Sequence, residues 1–226
     1  MAVSDYIDQA ELSNHDNEER FHREVSLMWS LSFHPNVAAL VAYTDEPRTI
    51  ITRLYSNDLY VLLHESAGQD MPLEPNLLIH LAAGLTAGVN AVHSMQVAHR
   101  ALCSANVYIQ EPAAGQTYPT AVIGGFGHAR SYDADAPAHN LERQYPYAAP
   151  EQFARLESPE GGLPTLEEDQ ASDIYSVGVL LWEMYYRRVP WQGESEDAVR
   201  KQVTNGVTLP LETVDDVEED SIHVEF

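Results

Sequence analysis

Histidine and cysteine are the side chains most often found as metal ligands and nucleophiles, and here their spacing argues against both roles. The ten histidines are dispersed along the 226-residue chain. None forms an H-x-x-x-H pair or a Cys/His ligand set, so no metal site is expected. Cys103 is the only cysteine, which excludes an internal disulfide and fits a reducing compartment. Arg100 is close enough in sequence to activate the thiol, but a small packing residue is the preferred reading. Glu24 lies among Phe21, Val25, Met28 and Leu31 at spacings of three and four. A carboxylate inside an apolar stripe either has a cation partner or lies at the edge of the buried face. The chain holds a single lysine, Lys201.

The elements that would position these groups can be read from periodicity. A helix capped by Asn17, with Glu18 and Glu19 in its first turn, is expected to carry the Glu24 stripe. His34-Pro35-Asn36 ends it, and two β-rich runs follow at about 37–44 and 49–55, joined by Asp45-Glu46-Pro47. A short helix near 59–64 and a long one over about 76–95 come next, the latter with Leu78, Leu81, Leu85, Val89 and Val92 on its apolar face. Short strands are expected at 107–110 and 120–124, and a loop over 131–147. An apolar helix over about 171–186, interrupted by Glu183, reads as buried, and a last helix capped by Ser195 runs to about Asn205. The first seventeen residues show no strand pattern, and 212–220 is strongly acidic and expected to be mobile. Strands and a helix followed by a helical body define an α+β class.

Several segments, in order, resemble the signatures of the eukaryotic protein kinases. Glu24 through His34-Pro35-Asn36-Val37 resembles the helix C glutamate and the turn into the fourth strand. His99-Arg100-Ala101-Leu102-Cys103-Ser104-Ala105-Asn106 resembles the catalytic loop H-R-D-L-K-x-x-N, and Gly125-Phe126-Gly127 stands where D-F-G belongs. Ala149-Pro150-Glu151 matches A-P-E, and Ser172-Asp173-Ile174-Tyr175-Ser176 the start of the family's buried central helix. The Ser104-Ala105-Asn106 ending is most similar to the tyrosine-kinase-like branch.

The resemblance implies a protein kinase-like fold, and the departures from it imply a catalytically degenerate pseudokinase. The family uses a strand lysine on the phosphates, a loop aspartate at the substrate hydroxyl and the D-F-G aspartate on magnesium. Here the aspartate positions are Ala101 and Gly125, the catalytic-loop lysine position is Cys103, and Lys201 lies far from the nucleotide region. Asn106 alone is a poor magnesium ligand. Loss of a general base costs on the order of 10²–10⁴ in rate, so the chain is expected not to be an enzyme and to need no cofactor. Of the other retained motif residues, His99 is expected to pack and Asp173 to tie the catalytic loop to the central helix. Phe126, Gly127 and Glu151 keep their motif places. Arg100 could meet a phosphate on Ser131, Tyr132, Tyr145 or Tyr147, the candidate phosphoacceptors of the activation segment.

The family's small lobe has five strands and only its fourth and fifth are expected here, so the lobe is truncated. The large lobe is expected to lack its last helices. A lone hairpin is marginally stable, which implies a partner or self-association. No Arg or Lys follows Lys201, so Glu151 must find a partner other than the family's usual arginine. The expected organisation is a polar segment 1–17, a partial small lobe 18–57, a large lobe 58–210 and an acidic tail 211–226.

Composition bounds the partners. A hydrophobic content of 44% fits a packed domain, and a formal net charge of −23 repels nucleic acid and anionic membranes. A basic protein surface or an active kinase is the partner this favours. No secretory signal is seen, and the longest apolar stretch, 174–186, is too short to span a bilayer, so a cytoplasmic location is expected. The expected function is a scaffold, decoy or allosteric regulator in signalling. The alternative is a residual nucleotide-binding or atypical transferase activity in the old cleft, drawing on Glu111, Asp133 or Asp135. A relic fragment without function of its own is a third reading.

Overall fold

The computed structural model describes residues 2–5, 14–66, 73–131, 144–157 and 164–211. The small lobe is a three-stranded sheet, β1 (Ala2–Asp5), β2 (Leu40–Asp45) and β3 (Arg48–Thr52), over helix α1 (Asn14–Leu31). Strand β3 is central and pairs antiparallel with both neighbours: Ser4 stands opposite Ile50 on one side and Tyr43 opposite Ile50 on the other. This corrects two expectations. The N-terminal residues do supply a strand, and the lobe is not a lone hairpin. Four residues, two apolar followed by two polar, are too short to show alternation, so the strand is recognisable only from its pairing.

Helix α1 begins three residues before the expected Asn17 cap, and Phe21, Val25, Met28 and Leu31 face the core as their spacing requires. The first β-run is shorter than expected. Val37 forms only an isolated parallel bridge to Ile123, and Ala38 donates to the Ile123 carbonyl at 2.8 Å. That short crossing ties the small lobe to the large one.

In the large lobe, α2 (Leu59–His64) follows the two-residue β4 (Asn57–Asp58) and is capped by the Asp58 carboxylate, which accepts from Val61 N–H at 2.8 Å. Helix α3 (Pro75–Ser94) starts with proline, as first helical turns allow, and Glu74 caps it. By length and composition α3 could cross a membrane, but its stripe Leu81, Leu85, Val89 and Val92 is packed into the core. Gly88 lets α3 approach closely: a Cβ there would lie 2.5 Å from the Asn36 carbonyl oxygen.

Strands β6 (Val107–Gln110) and β7 (Thr120–Ile123) pair as expected, with β4 on the outer side of β6. A two-residue pair, β5 (Val97–Ala98) and β8 (Arg130–Ser131), was not foreseen, nor was α4 (Pro150–Glu157). The α4 residue Phe153 is fully buried with Ala148 and with Val199 and Val203 of α6 (Glu196–Thr204) in a second, smaller core.

The central helix α5 (Leu166–Tyr186) starts five residues earlier than its apolar run. Thr165 and Glu168 form a reciprocal capping box, and the acidic first turn hides the helical period. The architecture is thus the expected α+β arrangement, a small sheet-and-helix lobe on a mainly helical one. The stretch 212–226 and residues 6–13 lie outside the described residues.

Candidate functional site

The core of the site is the junction between the loop 99–106 and α5. Asp173 is buried on α5 and its carboxylate accepts three hydrogen bonds. Oδ1 takes Arg100 N–H at 2.7 Å, and Oδ2 takes His99 N–H at 2.7 Å and His93 Nε2–H at 2.9 Å. Such a carboxylate fixes the loop backbone as a hydrogen-bonded strap would, which is the scaffold role expected of Asp173.

His99 is fully buried. Its Nε2–H donates to the Gly124 carbonyl at 2.8 Å, its Nδ1 accepts from Ala101 N–H at 3.3 Å, and its ring packs on Phe126 at 4.9 Å. Burial pushes its pKa below the usual histidine value, with Asp173 opposing. It is therefore a neutral packing and bridging group joining the catalytic loop to the GFG turn. Arg100, at φ 65°, turns its guanidinium towards Asp169 of α5, with Nε 3.7 Å from Oδ2. Arg130 and Arg155 reach the same carboxylate at 3.0 and 3.5 Å. The cation expected to meet a phosphate is held by a buried carboxylate, and this cluster joins loop, β8, α4 and α5.

Ala101 and Gly125 stand on the cleft side of this frame. Ala101 is buried, and its carbonyl accepts from Asn106 Nδ2–H at 2.7 Å. Gly125 adopts the left-handed conformation at φ 75°, ψ 48°. A Cβ built on it would lie 2.5 Å from Asn106 Oδ1. The Asn106 amide therefore occupies the space that a side chain at 125 would need.

That geometry tests the magnesium ion that the kinase resemblance implies. Hard divalent cations take several oxygen ligands. Here Asn106 is turned onto Ala101 and the space at 125, and no cluster of three or more acidic, histidine or cysteine side chains exists among the described residues. The residues present do not fit the ion.

Cys103 is buried, and burial raises its thiol pKa to about 11, against a reactive thiolate. Glu24 is half-buried on the cleft side of α1, and its charge helps raise the pKa of Tyr108 on β6, after burial as the main cause. The Tyr108 ring stacks on Tyr55 at 5.1 Å, beside the hinge stretch 53–56, where Ser56 bonds to the Ile109 carbonyl. Phe126 is buried beneath α1, and Arg20 of α1 donates to the Gly127 carbonyl at 3.4 Å. Glu151 finds the partner that the sequence left open: Ser172 Oγ donates to it at 2.8 Å.

Of the phosphoacceptor candidates, Ser131 is half-buried in β8 and Tyr145 donates to the Glu194 carbonyl at 3.1 Å. Tyr147 is corrected as an accessible acceptor. It is buried, its hydroxyl donates to Glu183 Oε2 at 2.9 Å, and its pKa is raised by burial and then by that carboxylate. Tyr132, Asp133 and Asp135 lie outside the described residues.

Sequence reasoning missed the role of Glu183. It is fully buried on α5, accepting from Ser104 Oγ at 3.0 Å and His64 Nε2–H at 2.8 Å as well as from Tyr147. A lone carboxylate in an otherwise apolar helix was the available signal, since such a group must be bonded where it is buried. Strand β1 was missed as well, and it is recognised only by its antiparallel pairing with β3 on the side away from β2.

Fold and site together define a protein kinase domain. The family model "Protein kinase domain" matches residues 5–224, and the chain belongs to that family. The chain is 29% identical over 178 residues to the dual specificity protein kinase pyk3 of Dictyostelium discoideum, covering 78% of this chain and 12% of that protein. It is 28% identical over 197 residues to the serine/threonine-protein kinase pkn2 of Myxococcus xanthus, covering 86% of this chain and 22% of the relative. Mitogen-activated protein kinase kinase kinase 11 of Rattus norvegicus is 29% identical over 196 residues, 84% of this chain and 21% of its own length. The chain thus spans only a minor part of the length of these relatives.

These findings correct the expectation that the chain is no enzyme. The family is that of the protein kinases, and the relatives are named as serine/threonine and dual-specificity kinases. The departures at Ala101, Gly125 and Cys103 and the absence of a strand lysine are individual positions, whereas the family match spans the whole domain.

Proposed function

We propose that this kinase domain acts in signalling by binding other proteins, as a scaffold, a decoy or an allosteric partner of an active kinase. One observation carries the reading. The frame that shapes a kinase large lobe is kept in full hydrogen bonding around Asp173, while Asn106 fills the space beside Gly125 in the cleft. A rigid frame with the space beside Gly125 taken by Asn106 suits recognition by surface. The net charge of −23 favours a basic protein partner in the cytoplasm over nucleic acid or a membrane. The Ser104-Ala105-Asn106 ending supports placement in the tyrosine-kinase-like branch.

A second reading is nucleotide binding or transfer in the cleft, and membership in a family of enzymes favours it. Glu24 and Glu111 are the described carboxylates it would draw on.

Thermal unfolding with and without millimolar Mg-ATP, beside a phosphate-transfer assay on a basic test protein, separates the two. Binding of a ligand to the folded state alone raises the midpoint. The first reading expects an unmoved midpoint and a change in the activity of a kinase that cross-links to the domain. A magnesium-dependent rise with transfer that falls in Glu24→Gln would establish the second.

A further inference from the structure

Helix α1, the turn that follows it and strand β2 expose aromatic and branched side chains that the fold does not use. Trp29 is 66% exposed, Phe33 91%, Val41 50% and Tyr43 47%. The core-facing stripe of α1 is already filled by Phe21, Val25, Met28 and Leu31, so Trp29 lies outside it. Single exposed apolar residues are ordinary, but several on adjoining elements mark an interaction surface.

Three contacts show how the two elements lie side by side. Leu40 N–H donates to Ser32 Oγ at 3.1 Å where β2 begins, the Phe21 and Tyr43 rings stand 6.2 Å apart midway, and at the far end Arg48, which opens β3 opposite Asp45 of β2, has Nη2 3.6 Å from Glu18 Oε2. The elements run in opposite directions. One end of the surface therefore carries Trp29, Phe33 and Val41, and the other carries the exposed acids Glu18, Asp45 and Glu46. At 1.5 Å per residue, the helical edge from Glu18 to Leu31 is about 20 Å long, and Phe33 follows in the turn beyond it.

Charge decides among occupants. Arg48, the cation at the acidic end, is matched by Glu18. A second copy would bring another −23 against the same sign. From this geometry we infer that the α1–β2 surface docks a basic segment of another protein that carries an apolar anchor. The anchor seats against Phe33 and Val41, lysine or arginine stacks on Trp29, and further cations face Glu18, Asp45 and Glu46. This rests on the protein-binding reading and gives it a place, the small lobe rather than the large one.

The test uses the full chain and a fluorescein-labelled peptide of alternating lysine and leucine pairs, with a glutamate–leucine peptide as control. Anisotropy gives affinity and hydrogen exchange gives the footprint, at low salt and at half-molar salt. The expected result is that only the basic peptide binds and that it protects amides of α1 and β2. Part of its affinity persists at high salt, and Trp29→Ser with Phe33→Ser weakens it at least tenfold with an unchanged unfolding midpoint. Protection confined to the large lobe, or equal affinity in the double variant, would overturn the surface and leave the binding reading standing. No binding by this peptide, together with no partner cross-linked by the domain in the activity test above, would sink both. Concentration-dependent dimerisation lost in the double variant would replace the basic partner with a second copy.

Discussion

The two sides of the 99–106 loop treat charge in opposite ways. On the side facing α5, Asp173, Glu183 and Asp169 are buried, and each has two or more hydrogen-bond or ion-pair partners. On the side facing the cleft, Ala101 and Gly125 have no charged side chain, and Asn106 takes up the space between them. A buried carboxylate bonded to backbone N–H groups cannot be lost without leaving those donors unpaired, whereas a residue facing a cleft can be exchanged for a small one at little structural cost. Charge that holds the architecture is thus tied in more firmly than charge that faces a ligand.

The largest effects should come from the α5 side. Asp173→Ala strands two loop N–H groups and His93, and should cost about 3–5 kcal/mol, the range for breaking a buried charged network. Urea unfolding beside the exposed Asp197→Ala, expected to change little, measures the contrast. Glu183→Gln keeps the shape but weakens three charge-assisted bonds, and should cost about 1–3 kcal/mol. If both variants unfold like the parent, the contrast between the two faces is wrong.

How legible was this in the sequence? The order of elements and the placing of Asp173, His99 and Asn106 were, because those residues sit in motifs whose spacing survives. The α5 start was not, because Thr165 and the acidic first turn break the apolar period that marks the rest of the helix. Helix α4 was missed because Phe153 is the one fully buried anchor among its described side chains, and the partners that hold the helix come from α5 and α6, far along the chain. Glu183 was visible as an oddity, but its partners His64, Ser104 and Tyr147 come from three separate segments that only folding brings together. The residue types at 101 and 125 were plain, yet that Asn106 fills the space beside 125 depends on a left-handed backbone turn that no pattern shows.

A substitution on the cleft side sharpens the comparison from the other direction. Gly125→Asp would place a side chain at φ 75° with its Cβ 2.5 Å from Asn106 Oδ1. Left-handed backbone costs roughly 1–2 kcal/mol for an ordinary residue, somewhat less for aspartate, and the steric conflict adds to it. Asn106→Ala in the same chain should recover the steric part but not the backbone part. Full recovery would show that strain is absent and the space alone decides.

The smallest effect is a pH dependence carried by the GFG turn. His128 is half-buried in that turn, and its pKa is lowered to about 4, first by burial and then by the charges of Arg20 and Arg100. An unfolded histidine titrates near 6.5. Between these values the unfolded chain binds a proton that the folded chain refuses, so stability falls as the pH drops from about 6.5 towards 4. The fully buried His99 acts in the same direction. Because His128 keeps some solvent contact, its share after screening should be about 1 kcal/mol. His128→Gln should therefore flatten, without abolishing, the decline in urea midpoint over that window and leave the value at pH 8 nearly unchanged. A variant whose midpoint falls as steeply as the parent's would show that the proton is not excluded at His128. The acid sensitivity would then belong to His99 and the frame behind the loop.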